Sequence, residues 1–226
     1  MAQPAARSAV RRLAHRGDWR HAPENSLPAL LAGAAAPCSD GIEFDVHLAA
    51  DGTPVLTHDS DLLRVQGVPG AVASMDAGTL AGLGVPSLAA VLAALPAEAF
   101  LDVELKVVPN QACADLLIAS RGPAPLDAVV SSFDAAVLRV AAHLLPGWPR
   151  WLNVHALDAG DSDRARSLGA VGLAAEWWAI TPSSAAAVRA AGLVLVAWTV
   201  RRRPTLERLE RLGVAVACVE GGLLDR

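Results

Sequence analysis

Eight short apolar, β-branched runs alternate along this chain with seven alanine- and leucine-rich stretches. The runs cover 9–15, 41–46, 99–106, 127–132, 150–155, 170–176, 193–199 and 214–219, and helical patterns between them begin near Asn25, Ser87, Asn110, Asp134, Asp161, Thr181 and Pro204. A helix after each strand returns the chain to the same end of the sheet, so successive strands run parallel. Eight such units predict the α/β class and a closed (β/α)8 TIM-type barrel. An open doubly wound sheet is the alternative, weakened because no glycine-rich dinucleotide loop follows the first run. Start signals support the helices: Asn25 before SLPALLAGA, Ser87 after Pro86, and Thr181 before Pro182. The 226 residues suffice for one barrel domain over 1–226, with no repeat or linker dividing them.

One segment breaks the rhythm. HLAADGTPVLTHD puts an Asp51-Gly52 turn soon after the second run, a hairpin signal instead of a helical crossover. A turn centred on those two residues sets Asp45 opposite His58. The run 54–58 is therefore an excursion that returns the chain to the barrel mouth, followed by a loop over 60–86 with little periodicity.

The remaining composition excludes several classes. No uncharged run approaches the roughly 20 apolar residues of a membrane span; AAGLVLVAW (190–198) is bracketed by Arg189 and Arg201 and reads as a buried strand. The start, MAQPAARSAVRRLAH, is basic without an apolar h-region, so no secretory signal is expected. Cys38, Cys113 and Cys218 are too few and scattered for a disulfide framework or zinc knuckle, which points to a reducing, cytoplasmic setting. A net charge of −4 gives no basic nucleic-acid surface. Nothing fixes the oligomeric state.

Ionisable residues stand at the ends of the first three barrel strands: His15 and Arg16, Glu43 and Asp45, Glu104 and Lys106. Residues two apart in a strand share a face, so Glu43 aligns with Asp45 and Glu104 with Lys106. Carboxylates aligned in an apolar strand are costly unless something cationic sits between them. A hard divalent cation, Mg²⁺ or Ca²⁺, is the simplest candidate, and the C-terminal strand ends are where barrel enzymes react. Arg16 and Lys106 supply positive charge for an anionic substrate, and His15 and His58 supply groups that titrate near neutral pH. Together these parts describe metal-assisted cleavage of a phosphodiester.

At these residues the chain resembles the glycerophosphodiester phosphodiesterase family. The matching motifs are HRGDWRHAPENS (15–26), GIEFDVHLAADGTPVLTHD (41–59) and DVELK (102–106), with weaker matches at SSFD (131–134) and WTV (198–200). The ordered set is far more specific than any one motif. The resemblance implies a barrel that hydrolyses glycerophosphodiesters to glycerol 3-phosphate and an alcohol through a cyclic phosphate. It implies metal binding by Glu43, Asp45 and Glu104, acid–base roles for His15 and His58, phosphate contacts from Arg16 and Lys106, and a glycerol-facing wall at Trp198. The sequence departs from the family pattern at Arg201, where Asn commonly follows WTV, and at Glu220, where Asp is usual. Rival readings are a phospholipase D-like or phosphoinositide-type phosphodiesterase acting on lysolipids, and a catalytically silent barrel that binds a phosphometabolite.

Plainer readings stand beside these. Lys106 also suits a simple ion pair with Glu104, and Arg16 suits bracing of its loop. Asn25 reads as a helix cap, and Glu24 as a partner of Arg16. Asp59 is placed to orient His58, though turn chemistry explains it equally well. His47 reads as a supporting residue, His143 as a helix-surface residue, and His155 as a strand-end residue with a route to the pocket. Trp177 and Trp178 read first as packing at the barrel top.

Overall fold

The computed structural model describes residues 10–225. Nine strands follow in chain order: β1 (Arg11–His15), β2 (Gly41–Leu48), β3 (Pro54–Leu56), β4 (Phe100–Leu105), β5 (Ala128–Ser132), β6 (Arg150–Val154), β7 (Gly172–Glu176), β8 (Val194–Val200) and β9 (Val216–Val219). Eight of them are parallel, and β1 pairs with both β2 and β9, so the sheet closes on itself. The helices are α1 (Leu27–Ala34), α2 (Leu63–Gln66), α3 (Ala77–Gly82), α4 (Leu88–Ala94), α5 (Gln111–Arg121), α6 (Ala135–Leu144), α7 (Asp161–Ser167), α8 (Pro182–Ala190) and α9 (Arg203–Leu212). The expected (β/α)8 barrel with an excursion after its second strand is the architecture found. The expectations for residues 1–9, including the strand start at residue 9 and the absence of a leader, lie outside the described residues. Among the described residues, no helix is long and apolar enough to cross a membrane.

Two-residue periodicity divides the barrel interior into layers. Leu13, Phe100, Val129, Trp151, Val196 and Val216 pack together as an apolar floor. Two residues further along four of these strands, the inward positions turn polar: His15, Asp102, Ser131 and Asn153. The floor excludes water from below, and the polar layer above it forms the base of the mouth. Between barrel and helices lie two larger apolar clusters, one built on Phe44, Leu101 and Trp148 and the other on Leu173, Val196's neighbour Leu195 and Leu209.

Most helix starts fall where their capping residues predict. Ser87, Asn110, Asp134 and Thr181 each accept a first-turn backbone N–H, and Thr181 with Ser184 completes a capping box. Asn25 does not cap α1; Ser26 does. Asn25 instead adopts a left-handed φ of 57° and turns its amide inward.

The hairpin register also differs from expectation. Val46 pairs with Leu56 and His47 with Val55, which sets Asp45 opposite Thr57, not His58. The cause is the loop. Ala49 and Thr53 still bond to each other, and Ala50, Asp51 and Gly52 make a three-residue turn with Gly52 at φ 81°. A two-residue turn at Asp51-Gly52 would have shifted the partner by one. His58 nevertheless reaches the mouth, as the second residue beyond β3. The segment 60–86 is not a featureless loop: α2, a 3₁₀ turn at Val72–Ser74 and α3 fold over a satellite core of Val55, Leu62, Val72, Leu80 and Val85.

Candidate active site

A cavity of about 310 Å³ opens at the C-terminal ends of the strands, lined by His15, Arg16, Glu43, His58, Glu104 and Lys106 on one side. Phe133, His155 and Trp198 form the other side, with Trp198 edge-on to both rings and Phe133 stacked on His155. All eight residues singled out from the sequence meet at this place, with Asp45 fully buried behind the wall.

The first loop is shaped by two unusual backbone conformations. Arg16 sits at φ 57° with its N–H bonded to Glu43, to the carbonyl at 2.8 Å and to Oε2 at 3.0 Å. Gly17 follows at φ 84°, where a Cβ would lie 2.4 Å from the backbone of Ala29. The loop is thereby pressed onto α1, and Asn25, just before the Ser26 cap of that helix, turns into the site. Asn25 Nδ2 donates to Asp45 Oδ2 at 2.8 Å, and Asp45 N donates to Asn25 Oδ1 at 3.1 Å.

Glu43, Asp45 and Glu104 each offer an oxygen, and these oxygens all lie within 4.8 Å of one another. Burial, with Asp45 and Glu104 close by, pushes the Glu43 carboxyl well above the ordinary carboxylate range. Burial also pushes Glu104 up to about 7, helped by Asp45. For Asp45 burial acts in the same sense, but Arg16 and Lys106 outweigh it and hold the carboxyl below its usual value. Arg16 Nε lies 3.3 Å from Asp45 Oδ2, and Lys106 Nζ lies 2.7 Å from Glu104 and 3.5 Å from Asp45. Asp45 Oδ1 is buried without a hydrogen-bond partner. Crowded carboxylates with an orphaned oxygen make a set of hard donors suited to a divalent cation.

His58 and His15 are each held at Nδ1 by a carboxylate that is itself held by an arginine. His58 Nδ1 lies 2.7 Å from Asp59 Oδ1, and Arg64 Nε donates to Asp59 Oδ2 at 2.5 Å. Hydrogen bonding from Arg64 keeps Asp59 down to about 2, so the carboxylate only accepts. His15 Nδ1 lies 2.6 Å from Glu220 Oε1, and Arg201 Nε donates to Glu220 Oε2 at 2.6 Å. Burial lowers the His15 pKa, opposed by that carboxylate. Arg64 also reaches Glu24, which holds Arg16 Nη1 at 2.8 Å, so the supports of His58 and of Arg16 share one ionic network.

Several residues here escaped the sequence reading. Asp102 lies two before Glu104 on β4, accepts from Ser131 Oγ at 2.7 Å, and is pushed up to about 8 by burial. Asn153 Oδ1 is buried without a partner, and Phe133 and Thr199 also line the cavity. The signal for Asp102 and Asn153 was the same two-residue period that exposed Glu43 and Asp45. His155 reaches the cavity, but most of its side chain faces solvent and Nδ1 pairs with Glu176 at 3.1 Å. His47 turns Nε2 towards the His58 carbonyl, 3.4 Å away, a supporting position.

Comparison with known proteins agrees with this picture. The glycerophosphodiester phosphodiesterase of Caldanaerobacter subterraneus subsp. tengcongensis is 28% identical over 220 residues, covering 89% of this chain and 90% of that protein. An Oleispira antarctica phosphodiesterase, solved in complex with the product sn-glycerol-3-phosphate, superposes with a TM-score of 0.82 at 24% identity and covers 93% of each chain. The glycerophosphodiester phosphodiesterase of Thermotoga maritima superposes with a TM-score of 0.76 at 23% identity, covering 94% of this chain and 95% of that one. Those two structures share the fold. The family model for glycerophosphoryl diester phosphodiesterases matches residues 15–220, and this chain belongs to that family of phosphoric diester hydrolases.

Proposed function

We propose that this chain, acting as one catalytic domain, hydrolyses glycerophosphodiesters to glycerol 3-phosphate and an alcohol, with Glu43, Asp45 and Glu104 holding Mg²⁺ or Ca²⁺. The observation that carries the reading is the convergence of those three carboxylates within 4.8 Å at a cavity also lined by two histidines and two fixed cations. The donors fit such an ion, being all oxygen, partly unsatisfied and mutually repelling. When bound, the cation supplies polarisation of a phosphoryl oxygen and neutralisation of charge there.

The protein's own groups do the rest. Arg16 and Lys106 hold the phosphate by charge, each kept in place by the carboxylates beside it. Of His15 and His58, one takes the proton from the attacking oxygen and the other gives a proton to the oxygen of the departing alcohol. Trp198 and Phe133 offer an apolar wall to the glycerol carbons and keep water from that side. The three free thiols, Cys38, Cys113 and Cys218, support the reducing cytoplasm as the working compartment.

A second reading concerns the alcohol. Trp177 and Trp178 follow β7 at the mouth and are exposed, which favours a lipid-like group such as that of a lysophospholipid. The test is turnover of glycerophosphocholine against lysophosphatidylcholine, each with Mg²⁺, with Ca²⁺ and with EDTA. Metal-dependent release of glycerol 3-phosphate from the first supports the main reading. Faster cleavage of the second favours the lipid substrate, and no metal-dependent turnover of either overturns both.

A further inference from the structure

His15 and Glu220 are 205 residues apart in sequence, yet Nδ1 and Oε1 meet at 2.6 Å. The contact is built by the barrel's closure. β9 pairs with β1, and Glu220 stands one residue beyond the end of β9 with its N–H bonded to the Val200 carbonyl at 3.1 Å. The Glu220 side chain is only 8% exposed. Arg201, one residue beyond the end of the neighbouring β8, donates Nε to Oε2 at 2.6 Å and Nη2 to Oε1 at 3.2 Å. His15 Nε2 points the other way, 3.9 Å from Glu43 Oε2 and 3.5 Å from Thr199 Oγ1.

We infer that Glu220 is the positioning residue of His15, held in turn by Arg201, and that it fixes the imidazole as the Nδ1–H tautomer with Nε2 free to exchange a proton with substrate. This rests on the acid–base reading of His15 given above. A carboxylate has no proton to donate, so the imidazole nitrogen facing it must carry one. Arg201 holds Oε2 through Nε and touches Oε1 more weakly through Nη2, which keeps Oε1 aimed at Nδ1. An aligned ring in the wrong tautomer keeps its proton at Nε2 and its lone pair at Nδ1, so Nε2 no longer cycles between bare and protonated forms, and proton transfer slows although binding is intact.

The arrangement gives a sharp isosteric test. In Glu220→Gln, Arg201 claims the amide oxygen because it can only donate. The amide NH₂ then faces His15 Nδ1, which must become the acceptor, and the proton moves to Nε2. Nitrogen-15 imidazole spectra of the full chain should therefore show His15 as Nδ1–H in the wild type and Nε2–H in Glu220→Gln. kcat for glycerophosphocholine should fall by about 10²-fold or more while KM stays within about threefold. In Glu220→Gln/Arg201→Ala the amide is free to turn over, restoring Nδ1–H and part of kcat. A residue that merely supported the fold would tolerate the isostere and show no such reversal.

Wild-type His15 in the Nε2–H form overturns the inference without any variant, as does an unchanged tautomer and kcat in Glu220→Gln. Full activity in His15→Ala overturns the acid–base reading instead, and leaves the tautomer result standing by itself.

Discussion

Asn25 and Asp45 are joined twice, side chain to side chain at 2.8 Å and backbone to side chain at 3.1 Å. The second bond fixes the Asn25 amide so that Nδ2, and not Oδ1, faces the carboxylate. Oδ2 is thereby occupied, and Oδ1 is left without a hydrogen bond, 3.5 Å from Lys106 Nζ. Asn25→Ala should free the carboxylate to rotate and weaken Mg²⁺ or Ca²⁺ binding by roughly 10–100-fold, the usual cost of losing a group that orients a ligand. Calorimetric titration of the metal-free protein checks this, and unchanged affinity removes Asn25 from the support of the site.

His58 is held by Asp59 and Arg64 and lines the cavity. His58→Ala should lower kcat/KM for glycerophosphocholine by roughly 10²–10⁴-fold, the range that acid–base groups supply. Metal affinity should hardly move, since no nitrogen of His58 belongs to the carboxylate cluster. Near-normal turnover would refute the acid–base role.

Much of this site was legible in the sequence, because strand periodicity is local: Glu43 and Asp45 had to share a face, and so did Glu104 and Lys106. The hairpin register was not legible, because two- and three-residue turns at Asp51-Gly52 differ by one position and the sequence accommodates both. α2 and α3 were missed because helices of four and six residues are too short to display a 3.6-residue period. Asn25 read as a cap because Asn suits both a cap and a left-handed residue, and its bonds to Asp45, 20 residues away, are a tertiary contact that no local signal carries. Arg201 and Glu220 stood out only as departures from a pattern. The expected barrel already makes β8 and β9 neighbours, but that these two side chains meet beyond the strand ends is set by register and loop geometry, which no local signal carries.

Gly17 lies where β1 turns onto α1, and its φ of 84° leaves a hypothetical Cβ 2.4 Å from both the carbonyl carbon and oxygen of Ala29. Both contacts are with backbone, which cannot swing aside. Gly17→Ala should cost about 3 kcal/mol through combined φ strain and overlap, lowering Tm by about 8 °C for a chain of this size. Thermal unfolding measures it, and a Tm within about 2 °C of wild type would remove the close approach from the account.

Glu43 is the most crowded carboxylate, desolvated and facing both Asp45 and Glu104. Glu43→Gln keeps an oxygen to accept the Arg16 N–H but removes a carboxyl whose ionisation is opposed by burial and by its acidic neighbours. The metal-free variant should therefore melt higher than metal-free wild type, while the rise in Tm on adding Mg²⁺ or Ca²⁺ is largely lost. A variant that still gains the wild-type increment with metal takes Glu43 out of the donor set.

The same crowding sets a pH dependence opposite to that of most carboxylates. Glu104 titrates at about 7 in the fold against an ordinary 4.5, and Asp102 at about 8 against 3.8, both raised by burial first. Between those limits the folded chain binds protons that the unfolded chain has released, so unfolding free energy falls as pH rises. At about 1.4 kcal/mol per unit, Glu104 alone costs up to about 3 kcal/mol by pH 8, a fall in Tm on the order of 5 °C from pH 5.5. A divalent cation favours ionised Glu104, so Mg²⁺ or Ca²⁺ should raise Tm more at pH 8 than at pH 5.5, with protons released on binding. Melting curves in EDTA and in metal at the two pH values decide the matter: a metal-free Tm that climbs over this range would mean that these carboxyls are not held protonated in the fold.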